Sequence, residues 1–273
     1  MNFPAYSALL SVCETEKPEW VSVALDSMIN QTVKPSEIVL VQNGPVPDEM
    51  QALINRYKKE HAAIFKTLIL PRCGGLGEVF RQGILACTNG FIAYMDADGY
   101  SAPNRIEEEF NALFENKADM VGTNINEFSE SINDVEGYRV FPESPEQIYS
   151  FAKRRMPMAF SSALFKKRMV LTCCDYEDCY MAEDYALIIN LLSFCARGIN
   201  VQKPLVYKRM NKDYYKNRGS WEYIKAMHYF NKKFFRVGWF RYRDFLLRST
   251  VNELIFLMPN FLRTFIFNKM MRT

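Results

Sequence analysis

The residues best suited to chemistry are Asp96-Ala97-Asp98, the one Asp-x-Asp in a chain of 273 residues. They follow an apolar run, Phe91–Met95. Two carboxylates on one tight turn can share Mg²⁺ or Mn²⁺, hard cations that take oxygen ligands and keep water or phosphate oxygens in the other positions. Bridging a diphosphate in this way neutralises charge on a departing nucleotide. A solvated turn carries the same residue types, so position decides between the two. At the carboxyl end of a parallel strand the pair stands where such sheets bind ligands.

Two further groups could contribute. Glu183-Asp184 opens the strong helical pattern MAEDYALIINLL. Acids there complement the helix dipole, and one of them is equally suited to remove a proton from an acceptor hydroxyl. Cys73-Gly74-Gly75-Leu76-Gly77 precedes another helical pattern, and such a turn can hold phosphate at a helix N-terminus. It fits neither the dinucleotide fingerprint nor the P-loop spacing.

Other chemistries are excluded by what the chain lacks. Its two histidines, His61 and His228, have no Glu or Cys at metal-ligand spacing, which leaves no basis for a zinc site or a His-dependent triad. Seven cysteines, at 13, 73, 87, 173, 174, 179 and 195, form no Cys-x-x-Cys pair and read as free thiols in a reducing compartment. The N-terminus lacks signal-peptide character and no uncharged apolar run reaches spanning length, so a cytoplasmic location is expected.

The elements that must position these residues alternate. Strands are predicted at Leu9–Cys13, Glu37–Gln42, Phe65–Leu70, Phe91–Met95 and Asp119–Gly122, and helices near Glu19–Asn30, Met50–Glu60, Leu76–Cys87 and from Pro103 to Glu115. Pro103 is placed as a first helical residue. This alternation predicts an α/β fold, a mostly parallel sheet flanked by helices. It brings Cys13–Thr15, Gln42–Gly44, Arg72–Gly75 and Asp96–Asp98 to one sheet edge. Beyond Thr123, Glu127–Pro145 reads as a loop, Pro145–Arg155 as a helix, and Ser161–Phe165 and Val201–Tyr207 as strands. Residues 1–210 are expected to form one domain and 211–273 a helical extension.

Together these segments resemble the family 2 glycosyltransferases, inverting enzymes of the Rossmann-like GT-A fold. The resemblance spans roughly residues 7–210. It is carried by SALLSVCETEKPEWVSVALDSMINQT, EIVLVQNGP, MAEDYALIINLL and most specifically GFIAYMDADGYSAPNRIE. It implies that Asp98 is the main metal ligand, with Asp96 on the metal or the donor ribose. It makes Asp184 the catalytic base with Glu183 beside it, and places Ser11, Cys13, Glu14, Asn43, Gly75 and Arg81 around the donor. The cofactor implied is Mn²⁺ or Mg²⁺, the donor a nucleotide-sugar, and the acceptor a saccharide or lipid-linked saccharide of a surface polysaccharide. The chain departs from the family pattern at three places: Gly99 where another Asp is frequent, Gln42-Asn43 where an acidic pair is frequent, and Arg81 where Asn is frequent.

Charge is divided unevenly. Residues 1–202 hold 18 Lys and Arg against 27 Asp and Glu, whereas residues 203–273 hold 16 against 4. The basic tail is rich in Phe, Tyr and Trp. Burial against the domain and an interfacial role on anionic headgroups both remain open for it. Nucleic acid is not expected as a partner, because no recognition motif accompanies the charge. An inactive saccharide-binding protein, or a nucleotidyltransferase using the same acidic turn, is the competing class of function.

Overall fold

The computed structural model describes residues 3–173, 179–210 and 220–258. Cys174, one of the seven cysteines, lies outside these residues.

The first half follows a βα alternation. Strands β1 (Tyr6–Val12), β2 (Glu37–Asn43), β3 (Phe65–Leu70) and β4 (Phe91–Tyr94) alternate with helices α1 (Pro18–Ile29), α2 (Asp48–Glu60) and α3 (Leu76–Ala86). The four strands pair in parallel in the order β3-β2-β1-β4. Both faces of this sheet are buried, and successive residues serve opposite cores. Ala8 and Leu10 join one cluster with Leu25 of α1 and Ile54 of α2, while Leu9 joins the other with Val79 and Ile84 of α3.

Beyond β4 the sheet changes character. The remaining strands are β5 (Tyr100–Ser101), β6 (Met120–Phe128), β7 (Val135–Arg139), β8 (Leu164–Lys166) and β9 (Gly198–Arg209). β8 pairs antiparallel with both β4 and β6, β7 pairs antiparallel with β6, and β5 does so with β9. Among the described residues only β6 and β9 pair in parallel here. The expected parallel sheet thus describes the first four strands, and a mixed sheet follows. The Asp119–Gly122 strand extends to Phe128, and the Glu127–Pro145 segment contains β7 rather than being loop throughout. β7 is largely solvent-facing, so it lacks the apolar signal of a core strand. The Ser161–Phe165 strand divides into a 3₁₀ turn, Phe160–Ser162, and β8.

Further helices are α4 (Arg105–Glu115), α5 (Pro145–Phe151), α6 (Lys167–Thr172) and α7 (Glu183–Ser193). α4 starts two residues later than Pro103 implied, with Asn104 at its N-cap. Two helices, α8 (Trp221–Arg236) and α9 (Tyr242–Leu257), come from the basic tail. Met227, Phe230, Phe234, Trp239 and Phe240 enter the same apolar cluster as Ala186 and Ile189 of α7. Tail and domain therefore share a core. The described cysteines are all free thiols.

Candidate active site

The end of β4 is held by buried polar contacts. Arg105, fully buried, donates from Nη2 to the Tyr94 carbonyl at 2.9 Å and from Nε to Glu109 at 2.8 Å. Gln31, at the end of α1, donates to the Ala102 carbonyl at 2.8 Å and accepts from the Ile106 amide at 3.1 Å. The Thr32 amide donates to the Pro103 carbonyl at 2.7 Å. Gln31-Thr32 and Pro103-Asn104-Arg105, far apart in sequence, thus knit into one frame under the acidic turn. Buried polar groups are tolerated only when satisfied in this way.

β1 and β4 end at a cavity of about 250 Å³, lined by residues that include Ser11, Tyr94, Asp96, Glu183, Asp184 and Lys208. The structure therefore brings Ser11, Asp96 and both acids of α7 together. Asp98 lies on the same turn, two residues from Asp96. Burial, and then the like charge of Asp96, push the Asp98 carboxyl up to about 6. An oxygen-donor pair that repels itself in a partly desolvated turn suits a divalent cation. Among the described residues no group of three or more His, Cys, Asp or Glu is placed to hold a metal. Two protein carboxylates completed by diphosphate and water is a coordination habit of Mg²⁺ and Mn²⁺.

The two acids of α7 have different surroundings. Glu183 is only 6% exposed. Its carboxylate accepts from the Gly77 amide, in the first turn of α3. A Cβ at Gly75 would lie 3.6 Å from Glu183 Oε1. Burial, with the neighbouring charge of Asp184, raises the Glu183 carboxyl in spite of these amide donors. The N-terminus of α3, a position suited to phosphate by its dipole, receives a protein carboxylate instead. Asp184 is exposed and faces the cavity. Met181, with φ of 62°, turns the chain two residues before Glu183, a conformation that costs a non-glycine residue on the order of 1 kcal/mol.

Lys208 escaped the sequence reading. Its Nζ donates to Asp96 Oδ2 at 3.1 Å. β9 reaches this point through a register shift opposite Asn124, where Pro204 replaces the expected partner. Pro lacks an amide donor and sits naturally at such an irregularity. β5 then locks beside it, Tyr100 opposite Tyr207. A Cβ at Gly99 would stand 2.9 Å from the Tyr207 carbonyl. That close approach accounts for Gly99 at a position where an additional Asp would require β9 to move.

The other anticipated donor residues are placed less directly. Asn43 exchanges two hydrogen bonds with Gly74, receiving from its amide at 2.8 Å and donating to its carbonyl at 3.1 Å, so its amide organises the glycine loop. Gly44, with φ of +83°, brings that loop against Cys73. The Cys13 amide donates to Glu16 at 2.6 Å. Glu14 and Arg81 are exposed, and neither they nor Cys13, Asn43 and Gly75 line the cavity.

Comparison with known proteins places the family and the fold. The family model described as Glycosyl transferase family 2 matches residues 13–170, more than half of the chain. The UDP-Gal:alpha-D-GlcNAc-diphosphoundecaprenol beta-1,3-galactosyltransferase of Escherichia coli is 27% identical over 274 residues, covering 98% of this chain and 97% of its own. The amylovoran biosynthesis glycosyltransferase AmsE of Erwinia amylovora is 30% identical over 225 residues, covering 81% and 82%. Residues 1–349 of S. aureus TarS in complex with UDP-GlcNAc superpose with a TM-score of 0.63 at 15% identity, covering 83% of this chain and 65% of that one. This chain spans 39% of a longer TarS structure, and at such identity the likeness concerns the fold alone. By the family match over residues 13–170 and the likeness of its mixed sheet to solved transferases, the chain belongs to glycosyl transferase family 2, the sugar transferases of GT-A fold.

Proposed function

We propose that this transferase moves a sugar from a UDP-sugar to a hydroxyl of a lipid-linked saccharide, with inversion at the anomeric carbon, during synthesis of a surface polysaccharide. The observation that carries this reading is the convergence of Asp96, Asp184 and Lys208 on one cavity at the ends of β1 and β4. The names of the Escherichia coli relative and the UDP-GlcNAc complex of TarS support the donor and acceptor classes.

Asp184 accepts the proton of the acceptor hydroxyl as its oxygen bonds to the anomeric carbon. The bond from that carbon to the diphosphate breaks in the same displacement, and the electron pair leaves with the nucleoside diphosphate. Glu183, anchored on α3, fixes the first turn of α7 so that Asp184 meets the acceptor at the required angle. Asp96 and Asp98 are the residues that would hold Mg²⁺ or Mn²⁺, which would supply positive charge to the departing diphosphate. Lys208 adds a fixed cation on the same side. Ser11 and the glycine loop ordered by Asn43 border the donor, and Cys13, Glu14 and Arg81 flank its outer edge. The enzyme works at the inner face of the cytoplasmic membrane, where a lipid-held acceptor is presented.

The test is release of nucleoside diphosphate from a panel of sugar nucleotides, with Mn²⁺ and a polyprenyl-diphosphate saccharide as acceptor. Turnover with one UDP-sugar, lost in Asp184→Asn, is expected. Absence of release from every donor would overturn the proposal.

A further inference from the structure

The tail's burial leaves a selective remainder on its outer side. α8 turns its apolar stripe inward and exposes Trp221, Glu222, Lys225, His228, Tyr229, Lys232, Phe235 and Arg236. The turn into α9 is made by Gly238, with φ of +78°. Around it Val237, Arg241, Tyr242 and Arg243 are exposed, and Leu246 and Leu247 continue the same surface on α9. Val237 is 67% exposed, Tyr242 66% and Leu247 58%. Among the described residues from 220 to 250, the exposed charges are five cations against Glu222 alone. The Asp244 carboxylate is drawn back to accept from the Arg241 amide at 3.1 Å.

We propose that the turn between α8 and α9, with the outer stripe of α8, docks this enzyme on an anionic phospholipid bilayer. The inference rests on the reading that the acceptor is held by a lipid. Arg236, Arg241 and Arg243 meet the headgroup phosphates, and Val237, Tyr242, Leu246 and Leu247 enter the boundary with the acyl chains, the arrangement of an interfacial amphipathic segment. Among the described residues no helix is long and apolar enough to cross a membrane, so attachment at the surface is the mode this segment offers. At the turn Val237, Leu246 and Leu247 offer a base no ring and Tyr242 alone does, whereas single strands are followed by grooves that carry successive aromatic platforms.

The docking face is fixed to the catalytic body. Lys153 donates to the Trp239 carbonyl and its ammonium lies 3.4 Å from the centre of the Trp239 ring. Arg248 reaches the Tyr185 hydroxyl beside Asp184. A bilayer held at the turn therefore holds the cavity at a constant height and tilt.

The experiment is flotation of the full chain with vesicles of phosphatidylglycerol and phosphatidylcholine in equal parts, against pure phosphatidylcholine. The wild type is expected to float with the anionic vesicles only, and less as salt rises. The Arg236→Gln, Arg241→Gln, Arg243→Gln triple variant and the Leu246→Ser, Leu247→Ser double variant should each bind at least tenfold more weakly. Both should keep turnover on a detergent-soluble short-chain acceptor. If the double variant does not fold, the triple variant, changed only at exposed side chains, decides. Equal flotation of the triple variant and wild type would overturn the inference, as would displacement of wild type from vesicles by single-stranded RNA at matched charge. Turnover without flotation would strike this inference alone. Flotation without turnover on any UDP-sugar would strike the transferase reading and leave the docking face standing.

Discussion

The Arg248 guanidinium donates to the Tyr185 hydroxyl at 3.0 Å, joining α9 to the residue that follows Asp184. Arg248 also donates to Asn231 Oδ1 at 2.9 Å and to the Arg154 carbonyl, and lies over the Phe240 ring at 4.6 Å. One of the tail's cations is thus a buried cross-brace for α7 rather than part of a surface field. Removing it strands three acceptors. Arg248→Ala is expected to cost about 2–4 kcal/mol in denaturant unfolding and to lower kcat while the nucleoside diphosphate affinity stays within about twofold. Arg248→Lys, which keeps the charge without the planar fork, should recover part of the stability.

The division of labour between the two α7 acids predicts different losses. Asp184→Asn removes the proposed proton acceptor and should reduce kcat by about 10³-fold, within the span of general base effects, while calorimetry shows unchanged UDP binding. Glu183→Gln weakens a charged anchor on the Gly77 amide. It should cost about 1–2 kcal/mol of stability and leave kcat within about tenfold of wild type. The reverse pattern would exchange their roles.

Lys208 and the acidic turn should separate by ligand. Lys208→Gln is expected to weaken UDP by about tenfold, the effect of one charge-assisted contact, while uridine binding stays the same. Asp98→Ala should abolish the increment in UDP affinity produced by Mn²⁺, and chelation of the metal should make wild type resemble it. UDP affinity in Lys208→Gln equal to that of wild type would remove Lys208 from the site.

How far these residues could be read from sequence follows from where their signals lie. Asp96, Asp98, Glu183 and Asp184 are local: each pair sits within three residues and is attached to a strand end or helix start. The parallel strands announce themselves through nearly uninterrupted apolar runs, as in EIVLVQ, whose residues Glu37–Gln42 are all buried. Lys208 depends on a register shift at Pro204 and on pairing with β5, neither of which leaves a periodic trace. β7 is exposed and short, so it looks like loop. The partition of the tail into a buried face with Arg248 and an exposed turn with Arg241 depends on which side α7 occupies, a long-range fact that helical spacing alone does not carry.

Glu37, at the start of β2, supplies a test remote from the cavity. Its carboxylate accepts from Ser7, Lys66 and both the amide and hydroxyl of Thr88, the amide at 2.8 Å. Burial opposes its charge, but the Lys66, Ser7 and Thr88 donors prevail and hold the carboxyl below its ordinary range. A carboxyl lowered in the folded state binds fewer protons there than in the unfolded chain around pH 4. Its contribution is therefore complete above the unfolded value of roughly 4.3 and is lost as pH falls through the folded value. Glu37→Gln, which turns one acceptor into a donor facing Lys66 or Thr88, should cost about 2 kcal/mol at pH 7. Urea unfolding across pH 3 to 7 should show the two stabilities constant in their difference above about pH 5 and converging below it. A gap that persisted unchanged to pH 3 would mean that the loss comes from packing at the β2 entrance rather than from the charge of Glu37.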